Sequence, residues 1–336
     1  MKKGLIITLY GIVPLFAFVS LYFLLQAAVE DFTLTGIARS DLYRLANVNA
    51  DIPADTELTS GGDAVMFREA PIGLMALPVG THGVIQKDLS DDSAQLVNLS
   101  RVILDPALLE NRTHFSPITG KEPLVLILHT HNSEHFLSPM EIPGDIVLPD
   151  GVTALFREDA YSRETVMDVG ETFASVGKEN GIGVIHCTIQ HDENLNTAWQ
   201  ASAATVAAYL KAFPSIRYII DIHRDTLSDS NGNWISPLTP DGKTAQVRIA
   251  VGSDYEHETH ADYVKNLTLA MTWKEYIDEQ QASLCLPISF VNQSLNQELS
   301  AGFLTLYVGS EGSTFEQAKS GAVRTAEIFC MMLKNQ

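Results

Sequence analysis

Apolar positions from about residue 119 onward fall into two alternating patterns. Short continuous apolar runs are typical of strands that are buried on both faces of a sheet. They cover residues 124–128, 183–189, 216–222, 245–251 and 303–308. Between them, apolar residues recur at helical spacing, over residues 161–180, 194–212, 262–279 and 315–333. This alternation predicts an α/β fold, with a mainly parallel twisted sheet and helices on both of its faces.

The N-terminal segment has a different pattern. Lys2 and Lys3 precede residues 4–25, a run without a charged side chain. At about 1.5 Å per residue, a helix of this length spans a hydrocarbon core of about 30 Å. The segment predicts a single-pass transmembrane anchor over residues 1–29, with the rest of the chain on the extracytoplasmic side of the cell membrane. A cleaved signal peptide is the alternative, although its apolar core is normally only about 7–15 residues long.

Three regions follow from these patterns: the anchor (1–29), an accessory or stalk region (30–118) and a catalytic domain (119–336). Prolines and glycines punctuate the accessory region, which predicts loops between helical pieces at 35–47 and 93–109. No motif that carries chemistry lies in it.

Composition excludes several classes of protein. Hydrophobic residues make up 46% of the chain, which is ample for a packed core and excludes a disordered protein. The 22 Lys and Arg against 41 Asp and Glu give a net charge of −19, which argues against nucleic-acid binding. The three cysteines form no CxxC motif, so neither a disulfide framework nor a cysteine zinc site is expected.

Histidines follow directly on three of the predicted strands. They are His129, His131 and His135 after the first strand, His191 after the second and His223 after the third. Ligands of open α/β sheets bind at the carboxyl ends of the strands. The positions of these histidines therefore predict a functional site at that edge of the sheet.

The pattern His131-x-x-Glu134, followed by His223 on another strand, suits zinc. Three nitrogen and oxygen ligands leave the fourth tetrahedral position for water, which is the catalytic arrangement. The metal would polarise a carbonyl and lower the pKa of that water. Asp221 or Asp225 would orient the ring of His223. The alternative is that these histidines are ordinary polar loop residues.

Two further residues are candidates for catalysis. His129 would be either a fourth group near the metal or a stabiliser of an oxyanion, and the spacing does not decide between them. Arg224 would bind a substrate carboxylate in a bidentate fork or form an ion pair with Asp225 or another acid. His186 would either line the cleft or lie in the core. The chain contains no GxSxG or P-loop pattern, so serine hydrolase and NTPase functions lack support.

Four stretches of the chain resemble, in order, the signatures of the stage II sporulation protein P family. They are residues 125–134 (VLILHTHNSE), 181–192 (with GIGVIH and HD), 214–225 (PSIRYIIDIHRD) and 296–318 (with NQELSAG, VG and TFEQA). The resemblance covers about residues 119–330.

The resemblance implies a fold like that of zinc-dependent N-acetylmuramoyl-L-alanine amidases. It implies a membrane-anchored peptidoglycan hydrolase that removes stem peptides from glycan, cleaves peptide cross-links and acts during engulfment in sporulation. The implied partners are a lytic transglycosylase, stage II sporulation protein D, and the scaffold protein M. His131, Glu134 and His223 match the metal-site positions of the family, with His129 alongside.

One position departs from the family pattern. Family members usually have a Glu, the expected general base or acid, where Tyr307 stands in this chain. A tyrosine with a pKa of about 10 cannot replace a carboxylate base at neutral pH. Glu311 is therefore the candidate catalytic carboxylate, with a solvated loop acid as the alternative.

Three hypotheses for function remain open. The first is a zinc-dependent peptidoglycan amidase or endopeptidase. The second is a catalytically weak or inactive relative that binds cell wall or recruits hydrolases, as Tyr307 would indicate. The third is another exported metallohydrolase, such as a carboxypeptidase.

Overall fold

Strands and helices alternate along the part of the chain that the computed structural model describes, which is residues 81–90, 94–112, 122–138, 151–157, 161–253 and 263–334. The strands are β1 (Thr81–Lys87), β2 (Leu96–Asn98), β3 (Val125–Leu128), β4 (His135–Leu137), β5 (Ala154–Arg157), β6 (Tyr161–Thr165), β7 (Val184–His186), β8 (Tyr218–Asp225), β9 (Trp234–Pro237), β10 (Val247–Gly252), β11 (Ile288–Val291) and β12 (Phe303–Ser310). The α-helices are α1 (Val166–Glu179), α2 (Ala198–Ala212), α3 (Tyr263–Gln280) and α4 (Phe315–Lys334). Short 3₁₀ helices cover Pro106–Glu110, Leu195–Thr197 and Gln297–Leu299.

The central sheet has seven strands in the order β2-β11-β10-β12-β8-β3-β7. Its neighbouring strands pair in parallel, apart from β10 and β12, which are antiparallel. The prediction of a mainly parallel α/β sheet is confirmed. Because β12, β8, β3 and β7 run in the same direction, their carboxyl ends meet at one edge, where the predicted site residues lie.

Both faces of this sheet are covered. On β3, Val125 and Ile127 pack with α1, α3 and α4 in the larger hydrophobic cluster. Leu126 and Leu128, which point to the other face, pack with residues of α2. All four side chains are 0–1% exposed, which explains why this strand is a continuous apolar run in the sequence.

Two smaller sheets lie beside the central one. In the first, β1 pairs in antiparallel with β5 and in parallel with β9. In the second, β4 pairs in antiparallel with β6. Neither was predicted from the sequence. All their strands except β1 have only three to five residues, which is too short to show a clear period.

Two predicted helices are corrected by the structure. The helix predicted at 161–180 begins only at Val166, because Thr165 and Asp168 form a capping box and the residues before them make β6. The helix predicted at 93–109 is absent from the described residues of that stretch, which form β2 and a 3₁₀ helix. Leu96–Asn98 pairs with β11 instead, so part of the predicted accessory region completes the central sheet.

The other predicted strands and helices are found with shifted ends. The described residues all belong to one compact unit, Gly62–Gln336. Within them, no helix is both long and apolar enough to span a membrane. The predicted anchor at 1–29 and the helical piece at 35–47 lie outside the described residues. The three cysteines are buried and unpaired.

Candidate metal centre and its surroundings

The carboxyl ends of β3 and β8 position the predicted ligands. These strands are parallel neighbours, with Leu128 opposite Asp221. The chain leaves β3 after Leu128 and makes a short loop that carries His131 and Glu134. His223 lies two residues beyond Asp221, near the end of β8. Two segments 89 residues apart in sequence thus meet at one edge of the sheet.

His131, Glu134 and His223 each offer one ligand atom, and these atoms lie within 4.8 Å of one another. Glu134 Oε1 is 3.8 Å from His131 Nδ1 and 3.3 Å from His223 Nδ1. Tetrahedral ligands held about 2.0–2.1 Å from zinc stand about 3.4 Å apart. The spacing and the two imidazole nitrogens with one carboxylate oxygen therefore fit a zinc ion, and we call these three residues the triad.

Asp221 lies behind the triad and faces the second ring nitrogen of His223. Its Oδ1 is 3.2 Å from His223 Nε2, and it also accepts a hydrogen bond from the backbone N–H of Thr130 (2.8 Å). Burial alone would lower the pKa of His223, but the carboxylates of Asp221 and Glu134 raise it well above its usual value. Of the two predicted orienting acids, the structure places Asp221 at the ring. Asp225 instead pairs with Arg248 (2.9 Å).

The pKa of His131, the other histidine ligand, is shifted in the opposite direction. Burial, and then the nearby His223, lower the pKa of His131. A neutral imidazole is the form that binds a metal ion. His131 is therefore ready to act as a ligand at neutral pH.

His129 is not brought to the triad. Its Nδ1 lies 2.9 Å from the carbonyl oxygen of Ile222 and its Nε2 lies 3.0 Å from His186 Nε2. Burial lowers the pKa of His129 to about 3. A direct role at the metal or on an oxyanion, as predicted, does not agree with this geometry, because both ring nitrogens are engaged elsewhere. The physical reason is that the chain turns after His129, so its ring and that of His131 do not share a face.

Two other histidines stabilise the site from outside it. His186 Nδ1 lies 2.9 Å from Glu171 Oε2 on α1, and its ring packs on His129 against Gly170, where a Cβ would lie 2.4 Å from His129 Nε2. His191 is buried between the carbonyl oxygen of His129 (2.6 Å) and Thr205 (3.0 Å). Neither ring faces the triad, so both act on the shape of the loop after β3.

Arg224 connects the triad with Glu311. Its backbone N–H donates to Glu134 Oε2 (2.9 Å), and its Nη1 lies 3.3 Å from Glu311 Oε2. The Arg224 Nε atom is buried and has no hydrogen-bond partner among the described residues. Burial raises the pKa of Glu311 and the Arg224 guanidinium opposes that rise. The sequence prediction of an ion pair with a nearby acid agrees with this contact, and the acid is Glu311.

Tyr307 faces the triad from the neighbouring strand. It lies opposite His223 in the β12–β8 register, and the two ring centroids are 5.8 Å apart. Burial, together with the negative charges of Asp225 and Glu134, raises the pKa of Tyr307 above its usual value. The phenol is therefore protonated at neutral pH, which excludes it as a base.

Trp199 forms a wall of the site and is not among the site residues predicted from the sequence. Its ring stacks on that of His223 with a centroid distance of 6.1 Å and meets the edge of His131 at 5.6 Å. It lies on the first turn of α2 and is half-buried. No local signal distinguishes such a tryptophan from a core residue, because its role depends on a contact between distant segments.

These features define the class of protein: an α/β protein with a candidate His–Glu–His metal centre at the carboxyl ends of neighbouring parallel strands. Comparison with known proteins then gives the family. The family model "Stage II sporulation protein P (SpoIIP)" matches residues 82–330, well over half of the chain. The chain belongs to the stage II sporulation protein P family, and the family prediction is confirmed.

Individual relatives are more distant. The chain is 27% identical over 227 residues to stage II sporulation protein P of Bacillus subtilis (strain 168), covering 64% of this chain and 52% of that protein. It therefore spans about half the length of this curated relative.

Solved structures that the chain resembles include two N-acetylmuramoyl-L-alanine amidases. Ami1 from Mycobacterium smegmatis is 10% identical, with a TM-score of 0.37 over 65% of this chain and 100% of that chain. The catalytic domain of CwlV from Bacillus (Paenibacillus) polymyxa var. colistinus is 13% identical, with a TM-score of 0.35 over 62% of this chain and 96% of that chain.

Proposed function

We propose that this protein is a zinc-dependent peptidoglycan hydrolase that acts during sporulation and engulfment, as an N-acetylmuramoyl-L-alanine amidase, an endopeptidase or both. The observation that carries the proposal is the triad: three donor atoms of the kinds that zinc prefers converge within 4.8 Å. Membership of the stage II sporulation protein P family supports the sporulation context.

His131, Glu134 and His223 would hold the ion. A zinc ion bound there supplies Lewis acidity toward the scissile carbonyl and lowers the pKa of water. Asp221 fixes the ring of His223 by facing its Nε2 atom, so that Nδ1 is directed into the triad.

Glu311 is the general base and then the general acid in this proposal. Its carboxylate accepts a proton from the attacking water and returns it to the leaving amine nitrogen as the amide bond breaks. Burial brings its pKa closer to neutrality, which favours transfer in both directions, while Arg224 keeps the ionised form accessible. The Arg224 guanidinium, whose side chain is 15% exposed, is the donor that would hold a carbonyl or carboxylate of the stem peptide.

The second candidate function is a catalytically weak or inactive relative that binds cell wall or recruits hydrolases. Tyr307 is the observation that favours it, since the position opposite His223 carries a protonated phenol rather than a carboxylate.

The cellular setting of the protein is part of the same proposal. The apolar run at 4–25 supports a single-pass anchor, with the catalytic domain on the extracytoplasmic side of the cell membrane. By family resemblance, the partners would be a lytic transglycosylase and a membrane scaffold protein.

The test is digestion of purified peptidoglycan by the full chain in detergent, with the released muropeptides identified by mass spectrometry. We expect release of stem peptides or cleaved cross-links, its loss with a chelator and its return with zinc. The His223→Ala variant should be inactive.

Other outcomes separate the alternatives. Binding to the wall without any release, even from glycan pre-cut by a transglycosylase, would contradict the enzyme and favour the binding relative. Release of single C-terminal residues would identify a carboxypeptidase instead.

A further inference from the structure

Asn296 has an unusual backbone conformation beside the metal centre. Leu295 and Asn296 are the two residues other than glycine with positive φ in the described chain, at 54° and 58°. Asn tolerates this left-handed region better than most residues, whereas leucine does so rarely. Both side chains are buried. The fold thus holds Asn296 in an unfavourable region of φ/ψ space, which points to a specific role for its side chain.

The Asn296 side-chain amide makes two hydrogen bonds, both to α2. Nδ2 donates to the carbonyl oxygen of Trp199 (2.9 Å) and to Ser202 Oγ (2.9 Å). The first bond fixes the start of α2, where the Trp199 ring covers His223 and His131. The second bond connects Asn296 to Ser202, the first of a series of hydrogen-bonded side chains, called here the path, that leads into the central sheet.

This path leads to the ligand His223. Ser202 Oγ lies 2.8 Å from Thr130 Oγ1, which donates to Asp221 Oδ2 (2.6 Å), and Asp221 contacts His223 Nε2. An ionised carboxylate only accepts, so the Thr130 proton points to Asp221. Ser202 Oγ accepts from Asn296 Nδ2, and its single proton lies within reach of two oxygens, Thr130 Oγ1 and the carbonyl oxygen of Trp199 (3.0 Å). The hydrogen-bonded contacts thus run without a break from Asn296 to the carboxylate that orients the ligand.

We propose that Asn296 is a positioning residue for the metal centre, acting on His223 through Ser202, Thr130 and Asp221 and on the wall of the site through Trp199. Ser202, Thr130 and Asp221 are each 0% exposed, so bulk water does not compete for these hydrogen bonds in the folded protein. The inference rests on the proposed zinc site but not on hydrolysis.

The test measures the zinc dissociation constant of the full chain in detergent, by competition with a chromogenic chelator, together with the unfolding temperature. Asn296→Gly keeps the left-handed backbone and removes the amide. Ser202→Ala breaks the path but leaves the bond from Asn296 to Trp199. Thr130→Val removes the hydroxyl that donates to Asp221 Oδ2 but keeps the backbone N–H that donates to Oδ1, and Thr130→Ser restores the hydroxyl.

The control variant is Gln297→Met. Gln297 is the next residue and is also buried, but its amide bonds the backbone of β10 at Ala250 and Gly252 rather than the site. Gln297→Met should lower the unfolding temperature and leave the zinc dissociation constant unchanged.

We expect Asn296→Gly, Ser202→Ala and Thr130→Val each to weaken zinc binding by about 10-fold or more, as loss of residues behind metal ligands does, and Thr130→Ser to stay near wild type. When cobalt is loaded in place of zinc, the three variants that bind zinc more weakly should also differ from wild type in their visible absorption, and Thr130→Ser should not. If Asn296→Gly does not fold, Ser202→Ala and the Thr130 pair decide the question.

Wild-type zinc affinity in Asn296→Gly and Ser202→Ala, with only the unfolding temperature lowered as in Gln297→Met, would overturn the proposal. If the wild type binds zinc as expected but hydrolyses no peptidoglycan, only the proposed function is contradicted, and the positioning role of Asn296 stands. A wild type that binds no zinc would overturn both.

Discussion

Two carboxylates with different surroundings lie near the candidate metal centre. Glu134 is held by the backbone N–H of Arg224 on one oxygen and faces His223 with the other. Glu311 is partly buried, and the Arg224 guanidinium is its ion-pair partner. A carboxylate held on both oxygens suits a ligand, while one whose pKa is raised by burial suits proton transfer.

Glu311→Gln therefore separates chemistry from metal binding. Loss of a general base lowers kcat by about 10²–10⁴-fold. We expect a fall of that order with an unchanged zinc content, measured by peptidoglycan digestion and mass spectrometry. The control is Glu316→Gln, which removes the same charge from an exposed position five residues further on and should retain full activity. Equal activity of the two variants would exclude Glu311 as the base.

In the proposed hydrolysis, Arg224 should determine the pH above which activity appears. Glu311 works as a base only when it is ionised, so kcat/KM rises as the pH rises through its pKa. Arg224 opposes the upward shift that burial causes. In Arg224→Gln the pKa of Glu311 should be higher, and the acid limb of the kcat/KM profile should move to higher pH.

The control for this profile is Arg324→Gln, whose guanidinium is exposed and pairs with Glu327 on α4. Its acid limb should coincide with that of the wild type. An acid limb in Arg224→Gln that stays in place or moves to lower pH would show that Arg224 does not act on Glu311.

At the scale of single residues, the sequence predicted the triad but not what surrounds it. His131, Glu134 and His223 follow strands that are visible as apolar runs, so their meeting could be inferred from the rule for strand ends. The direction of the His129 ring depends on where the loop turns, which spacing does not show. Trp199 and Asn296 reach the site through contacts between distant segments, and no local pattern marks them.

The helix α1 shows how a local signal sets an element boundary. Thr165 accepts from the backbone N–H of Met167 and Asp168 reaches back to the N–H of Thr165. The Thr-x-x-Asp spacing was present in the sequence, but the short β6 before it (YSRET) shows no strand pattern of its own, so the predicted helix was extended over it. The helix begins where its first N–H groups find acceptors.

Removal of this cap should cost a measurable part of the stability. Loss of a threonine N-cap destabilises a protein by about 0.5–2 kcal/mol. We expect Thr165→Ala to lower the free energy of unfolding in urea by about 1 kcal/mol. Thr172→Ala, at a half-buried position of the same helix whose hydroxyl only bonds back to the carbonyl oxygen of Asp168 within that helix, is the matched control and should change it little. An equal effect of the two substitutions would mean that the cap contributes nothing specific.

Long elements were predicted better than short ones, for a physical reason. A strand buried on both faces, such as β3 or β8, needs apolar residues at nearly every position, and this gives an unmistakable run. Strands such as β2 and β4 have three residues each and gain their stability from pairing with distant partners. Their formation depends on contacts that sequence periodicity does not show.

At the scale of the whole molecule, the sheet brings the site together from separate parts of the chain. The loop after β3 supplies His131 and Glu134, and the end of β8 supplies His223 and Arg224. The turn after β12 supplies Glu311. The parallel direction of these strands was predictable from the alternation of strands and helices. The antiparallel pairing of β10 with β12 was not predictable, because the order and direction of strands are decided by packing of the complete chain.

A bound metal should therefore stabilise the folded chain as a whole. Its ligands come from two segments 89 residues apart, which are not held together in the unfolded state. At a free zinc concentration of 100 times Kd, the gain is about 2.7 kcal/mol. We expect a chelator to lower the unfolding temperature of wild type but not that of His223→Ala, as followed by circular dichroism. An equal response of the two proteins would contradict a zinc site at the triad.

The most direct measurement is the metal content of the purified full chain, determined by inductively coupled plasma mass spectrometry for wild type, Glu311→Gln, His131→Ala and His223→Ala. The account predicts one zinc ion per chain in the first two proteins and none in the two histidine variants. Wild type without zinc after incubation with the ion, or histidine variants that retain it, would contradict the metal centre on which the proposed function rests.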